Sequence, residues 1–202
     1  MSNKKKILVL GNDPQINQID FKRLDPSVKT LGVNRIFLAH IPHYYFFHDP
    51  EILQELRSQP EILALLNEKS ISFTSDWFTR TKMPIPEWLK VYKRQHIHRY
   101  SFPDSVTTAI RLISDNLIDR SNCTFYIAGV SLTWSQPSHF WKEINYPSLN
   151  KHDQTWYNPR FSKILDNFKN LKNTKYDLVS VNPGSSLNRI MRSESIDNLY
   201  IK

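Results

Sequence analysis

Four short segments of the chain combine glycine or asparagine with small polar residues, and each follows an apolar run. Glycine lets a ligand approach the backbone closely, and neutral amide and hydroxyl groups hydrogen-bond to bases, sugars and phosphates. This composition suits a nucleotide. The segments are residues 11–14, 34–35, 129–133 and 182–186.

None of these segments matches a strong nucleotide-binding motif. The chain contains neither G-x-G-x-x-G nor G-x-x-x-x-G-K-[ST]. Any one of the four taken alone is better explained as a plain turn, since Asn and Gly favour turns wherever they occur. The residue types alone therefore predict a ligand-binding α/β domain. They single out Gly11, Asn12, Asp13, Asn34, Gly129, Ser131, Asn182 and Ser185 as candidate ligand-binding residues.

The histidines indicate general-base chemistry rather than a metal site. His40, His43 and His48 with Asp49 match no zinc-ligand spacing, and the chain has no D-x-D pair to hold Mg²⁺ or Mn²⁺. We expect no metal and no cofactor. His152 is the best-placed candidate to take a proton from a hydroxyl near neutral pH. A surface loop histidine is the alternative for that position.

The net charge of +8 favours an acidic partner: nucleic acid, a phosphorylated glycan or an anionic membrane face. Charge alone does not choose among them, and an ordinary basic protein remains the simpler interpretation. Cations and aromatic residues alternate in residues 76–102. The candidate acceptor-binding residues there are Trp88, Lys90, Lys93, Arg94 and Arg99.

These residues must be positioned by alternating strands and helices. Short apolar runs predict strands at 7–10, 28–33, 70–73, 124–128 and 177–181, with a strand and loop within 36–47. Helical spacing predicts helices that begin at Pro50, Pro60, Ser105 and Pro159. Such alternation is typical of an α/β fold with a mostly parallel sheet, in which ligands bind at the carboxyl ends of the strands.

The length of 202 residues predicts a single domain, with a loop-rich excursion at 76–102 and a lid-like loop at 134–151. The lone Cys123 excludes an internal disulfide, and no apolar run is long enough to span a membrane. We predict a cytoplasmic protein, which would work in the host cytoplasm if a phage encodes it. The oligomeric state is left open.

In order along the chain, several segments resemble the bacterial lipo-oligosaccharide sialyltransferases of glycosyltransferase family 42. That family opens with a strand that ends in Gly-Asn-Gly-Pro-Ser. The matching segments here are ILVLGNDP at 7–14, VNR at 33–35, SV at 105–106, YIAGV at 126–130, KH at 151–152 and VNPGSSL at 181–187.

The resemblance implies a Rossmann-like fold and a metal-independent glycosyltransferase. By match, Asn12 and Asn34 contact the donor nucleotide, Ser105 or Thr107 lies beside the donor, and His152 is the catalytic base. The chain departs from the family at Asp13, where a carboxylate replaces a glycine near the expected donor phosphates.

Three functions follow as hypotheses. The first is transfer of a sugar from a nucleotide sugar to a hydroxyl of an acidic acceptor, such as a modified base in DNA. The second is the same transfer to a lipopolysaccharide or another surface glycan. The third is a non-enzymatic module that binds nucleic acid or nucleotides.

Overall fold

The protein is built on one eight-stranded sheet in which every pair of neighbouring strands is parallel. The computed structural model describes residues 4–93, 104–132, 139–143 and 154–201. The strand order is β5-β4-β3-β2-β1-β6-β7-β8. The strands are β1 (Lys5–Leu10), β2 (Lys29–Val33), β3 (Tyr44–Phe46), β4 (Ile71–Ser75), β5 (Lys90–Tyr92), β6 (Cys123–Ala128), β7 (Leu178–Ser180) and β8 (Arg192–Ser193).

Helices cover both faces of this sheet. They are α1 (Pro50–Arg57), α2 (Pro60–Lys69), α3 (Ser105–Asn116), α4 (Phe140–Glu143) and α5 (Gln154–Asn173), joined by short 3-10 turns. Ile7 and Val9 of β1 face the core that holds α3 and α5, while Leu8 and Leu10 face the core that holds α1 and α4. Burial on both faces explains why the central strands are continuously apolar. The predicted α/β class with a mostly parallel sheet is confirmed.

Two helices begin at a proline, and a third begins after a capping carboxylate. Pro50 and Pro60 each begin a helix, where a missing backbone N–H costs nothing. The Asp104 carboxylate caps α3 by accepting from the Thr107 N–H at 2.8 Å. Helix α5 begins at Gln154 rather than at the predicted Pro159, so Pro159 lies inside the helix.

The structure adds elements that the sequence did not predict. The region 76–102 carries β5, which extends the sheet beside β4, so its first part is not a simple loop. The two-residue strand β8 closes the other edge. Of the predicted lid at 134–151, only residues 139–143 are described, and they contain α4. No helix among the described residues is long and apolar enough to cross a membrane.

The turns that follow β1 and β6 touch backbone to backbone. A methyl group placed on Gly11 would overlap the carbonyl oxygen of Gly129 and lie 2.7 Å from Cγ2 of Val130. Gly129 has a φ of +66° and packs against Ile16, where a methyl group would lie 2.6 Å from Cδ1. Only glycine permits this contact, so both residues are required by the packing itself.

We predict that Gly11→Ala lowers the free energy of unfolding by more than Gly184→Ala. Gly184 has a φ of +73° but open space around it, so its substitution costs only the conformational strain of roughly 1–2 kcal/mol. Gly11→Ala must displace backbone, which costs roughly 1–3 kcal/mol or more. Urea unfolding of both variants measures the difference, and equal losses would contradict the close approach.

Candidate functional site

A crevice is expected between β1 and β6, because the strand order reverses there. From β1 the chain builds outward through β2 to β5 on one side, whereas β6 to β8 lie on the other. Ligands of open α/β sheets bind at such a switch point, outside the carboxyl ends of the strands. The turns at that edge are tied together by Gly11 N–H to Ala128 O at 2.8 Å and Asp13 N–H to Gly129 O at 3.0 Å.

Asp13 bridges the two turns with its side chain. One carboxylate oxygen accepts a hydrogen bond from the backbone N–H of Ser131. Burial raises the pKa of Asp13 to about 6, and the hydrogen bonds from Ser131 only partly oppose that rise. Among the described residues no cation forms an ion pair with this carboxylate. A carboxyl group that titrates near neutrality therefore lies at the switch point.

Hydrogen bonds hold the turn after β7 against β6 and the turn that follows β6. Asn182 donates to Ile127 O at 2.8 Å, and Ser185 donates to Val130 O at 2.8 Å. Asn182 is 1% exposed and Ser185 is 4% exposed. Both side chains therefore hold the β6 and β7 turns together, and direct contact of either with a ligand stays a prediction.

Asn34 and Ser105, 71 positions apart in the chain, meet at the same edge of the sheet. Asn34 Nδ2 donates to Ser105 Oγ at 3.2 Å. Asn34 has a φ of +52°, a conformation that asparagine tolerates better than most residues, and Tyr45 OH donates to its carbonyl at 2.6 Å. The Asn34 amide thus lies beside the Ser105 hydroxyl at the start of α3, and contact of either with a donor stays a prediction.

Below this pair, a buried network fixes the start of α3. Thr107 Oγ1 donates to Asp104, and Asn167 Nδ2 of α5 donates to the same carboxylate at 2.7 Å. Burial raises the pKa of Asp104, while the hydrogen bonds from Thr107 and Asn167 oppose that rise. The hydroxyl of Thr107 is committed to this network, so Ser105 is the better exposed of the two predicted donor-side residues.

Three buried amide oxygens near the switch point have no hydrogen-bond donor in the described part of the chain. They are Oδ1 of Asn12, Oε1 of Gln15 and Oδ1 of Asn188. The other end of two of these amides is anchored, by Gln15 Nε2 to Pro183 O at 3.2 Å and Asn188 Nδ2 to Asn182 O at 3.1 Å. Buried acceptors without a donor are rare in folded proteins, and hydroxyl groups of a ligand would satisfy them.

An ion pair beneath the Asn34 turn escaped sequence reasoning. Arg35 is 3% exposed, and it donates to Glu55 of α1 through Nε at 2.8 Å and a second nitrogen at 2.5 Å. Its guanidinium also lies 5.0 Å from the ring centre of Trp141. The backbone N–H of Phe140 donates to Asn12 O at 3.0 Å, so residues 139–143 close over both turns. Glu55 shows no sequence signal, because charged helix residues are usually solvated.

His40, His43 and His48 lie at opposite ends of the strands. His40 and His43 share the hydroxyl of Thr30 at the amino end of β2, at 3.1 and 3.0 Å, away from the crevice. Burial, and then the nearby His43, lower the pKa of His40 to about 4. His48 follows β3 at the carboxyl edge, with Nε2 3.4 Å from Asp49 Oδ1. His152, the predicted base, lies outside the described residues.

Three of the candidate acceptor-binding residues, Trp88, Lys90 and Lys93, lie in or beside β5. Lys90 begins β5, Lys93 follows it, and both are exposed. Trp88 is only partly exposed and packs against Phe47, with ring centres 6.4 Å apart, so part of its surface is used by the core. Trp77 is the more exposed aromatic side chain of the region, and it carries Arg80 on its ring face at 4.8 Å. Arg94 and Arg99 lie outside the described residues.

Within the ranges that the structure describes, no three His, Cys, Asp or Glu side chains gather where they could hold a metal ion. The hydrogen-bonding groups that line the switch point are amides, hydroxyls, backbone N–H groups and the Asp13 carboxyl. This set of hydrogen-bond donors and acceptors suits a ligand that is rich in hydroxyl groups.

Comparison with known proteins shows which fold this is. No protein-family model and no curated protein matches the chain significantly. Several solved structures match the chain. The α-2,3-sialyltransferase Cst-I of Campylobacter jejuni matches with a TM-score of 0.63 at 16% identity, over 100% of this chain and 84% of that one.

Two structures of a second sialyltransferase agree. CST-II in complex with a trisaccharide acceptor and CMP matches with a TM-score of 0.61 at 16% identity, covering 98% of this chain and 88% of that one. CstII from Campylobacter jejuni in complex with CMP matches with a TM-score of 0.60 at 13% identity, covering 100% and 89%. At these identities the likeness establishes the Rossmann-like α/β fold, and it agrees with the resemblance seen in the sequence.

We predict that Asp13 makes stability fall as the pH rises from about 4 to about 6. In that window the folded protein keeps the Asp13 proton and the unfolded chain loses it, so unfolding is favoured by rising pH. Asp13→Asn removes this component, because an amide does not ionise in this range. The variant should gain on the order of 2 kcal/mol relative to the wild type between pH 4 and 7. Urea unfolding at both pH values measures the gain, and a difference independent of pH would contradict the assignment.

Proposed function

We propose that this protein is a glycosyltransferase that moves a sugar from a nucleotide sugar to a hydroxyl of an acidic acceptor. The observation that carries the proposal is the reversal of strand order between β1 and β6, in a fold shared with sialyltransferases solved in complex with CMP. The nucleotide would lie against the turns after β1 and β2, where Asn12 and Asn34 are found.

The groups at this edge match the parts of such a donor. The free amide oxygens of Asn12, Gln15 and Asn188 can accept hydrogen bonds from ribose or sugar hydroxyls. The contact between Gly11 and Gly129 holds the two turns together at this edge. Ser105 and Asn34 offer a hydroxyl and an amide at the N-terminus of α3.

Departure of the nucleotide leaves a phosphate anion, which the protein must stabilise. The N-terminus of α3, a helix of 12 residues, carries a partial positive charge that stabilises an anion. We propose that this dipole and the strand-end N–H groups supply the stabilisation without a metal ion. Turnover that persists in excess EDTA supports this part of the proposal, and loss of turnover that Mg²⁺ or Mn²⁺ restores contradicts it.

The acceptor hydroxyl must lose a proton when it attacks the sugar. We propose His152 as the base, because it precedes α5 closely in the sequence and matches the position of the catalytic histidine in the resembling family. His48 is the rival, since it lies at the carboxyl edge of the sheet beside the Asp104 network.

For the acceptor we propose an acidic molecule and favour a modified base in DNA, supported by the charge of +8 and by exposed Lys90 and Lys93 beside Trp88. A surface glycan is the second candidate, because CST-II was solved in complex with a trisaccharide acceptor. A module that binds nucleotides or nucleic acid without catalysis is the third, and the measurements below separate it from an enzyme.

We predict that one of CMP, UDP or GDP stabilises the protein. At a hundred times its Kd a ligand adds about 2.7 kcal/mol, which raises Tm by about 5–10 °C for a chain of this size. Ser105→Ala should reduce this rise. Ser114→Ala, near the other end of α3, is the matched control and should retain it. No shift with any of the three nucleotides would contradict the donor site.

We predict that His152→Gln lowers turnover by about 10²–10⁴-fold, since a general base typically contributes that much. Turnover is measured as nucleotide release with the acceptor that proves active. His48→Gln is the matched comparison and should change turnover far less. If His48→Gln abolishes turnover and His152→Gln does not, the base is His48.

We predict that the protein binds DNA with an affinity that falls steeply as salt increases. Replacing both Lys90 and Lys93 with Gln should reduce the salt slope by about 2, because each phosphate contact contributes close to one unit. Replacing exposed Lys22 and Lys29, which precede and begin the central strand β2, should leave the slope due to the site unchanged. Absence of DNA binding at low salt would contradict the DNA acceptor and favour the glycan.

A further inference from the structure

The Asp13 carboxylate occupies a backbone donor that a ligand would otherwise use. Its oxygen accepts from Ser131 N–H, in the turn directly after β6. Ser131 lies beyond Gly129, at the point where the β1 and β6 turns touch. Strand-end N–H groups at a switch point are the groups that commonly receive the anionic part of a ligand. An anion of the protein itself therefore lies where an external anion would bind.

Among the residues that the structure describes, no cation pairs with that carboxylate. The element on one side of Asp13 is the 3-10 turn Pro14–Gln18, which has no ionisable residue. The β6 turn opposite contributes Ser131 and Leu132, which do not ionise, and the described ion pairs do not include Asp13. In residues 139–143 the ionisable side chain that is described is His139, whose ring is tilted against that of Trp141 with ring centres 4.1 Å apart.

We propose that Asp13 determines the charge that the crevice accepts: an anionic group of the ligand can bind at the Ser131 amide only when Asp13 takes up a proton. The step is a simple transfer, in which solvent supplies H⁺ to the carboxylate and no bond of the ligand changes. A neutral acceptor, such as a sugar hydroxyl or ring oxygen, meets no such requirement. The proposal rests on the proposed function only in taking a nucleotide as the ligand.

The pKa of Asp13, about 6, sets the size of the effect. At pH 7.5 only about one molecule in thirty carries the proton, and near pH 5.5 most molecules do, so the apparent affinity for an anion should rise by about 25-fold on acidification. Asp13→Asn is neutral at every pH. It should bind anions about 30-fold more tightly than the wild type at pH 7.5 and show no such rise.

The test compares cytidine with the 5′-methyl ester of CMP, whose single phosphate charge does not titrate between pH 5.5 and 7.5. Kd is measured by calorimetry for the wild type, Asp13→Asn and Asp25→Asn. Asp25→Asn removes the same charge at the amino edge of the sheet and keeps the acceptor for Ser27 N–H. We expect only Asp13→Asn to tighten binding of the ester, and to tighten it far more than the binding of cytidine.

Sulfate, which is fully ionised across this pH range, is the second probe and does not depend on nucleotide recognition. Sulfate should stabilise the wild type more at pH 5.5 than at pH 7.5. This pH effect should be absent in Asp13→Asn. Equal pH profiles in the two proteins for both probes would overturn the inference. If the ester binds neither protein, the proposed function loses its support, and the sulfate profiles decide the inference by themselves.

Discussion

The contact between the turns after β1 and β6 is the constraint on which the rest of this structure depends. Gly11 and Gly129 lie so close that neither position has room for a side chain. Because β1 and β6 are the two strands at which the order of strand addition reverses, the contact fixes how the two halves of the sheet meet. It also brings the Asp13 carboxyl to the Ser131 amide, next to the Asn12 amide oxygen, which has no donor among the described residues. Packing and binding chemistry are therefore set by the same few atoms.

The central part of the fold could be predicted from the sequence because its signals are local. Strand β1 ends in the apolar run 7–10, β2 and β6 are largely buried, and α3 has an amphipathic pattern with a capping carboxylate at Asp104. Strands β5 and β8 could not be predicted, since they have three and two residues and exist only through pairing with β4 and β7. Such short strands carry too few residues for an alternation pattern to show.

The site was predictable in its residue types but not in its contacts. Asn34 and Ser105 were identified from separate segments, and the sheet topology then brought them within 3.2 Å. The burial that shifts the pKa of Asp13 depends on neighbours from the β6 turn, more than a hundred positions away, and leaves no trace in local sequence. Arg35 and Glu55 were missed because charged residues are usually solvated. The role of His152 stays a prediction from its place in the sequence.

The Arg35–Glu55 pair gives the crevice a hidden dependence on a distant helix. Removing either partner leaves a buried charge uncompensated, a change that typically costs several kcal/mol. Glu55 belongs to α1, yet its loss would release the guanidinium that lies under Trp141 beside the Asn34 turn. Substitutions at residues 35, 55 and 141 should therefore have interdependent effects. A change at one of the three would be tolerated only together with compensating changes at the others.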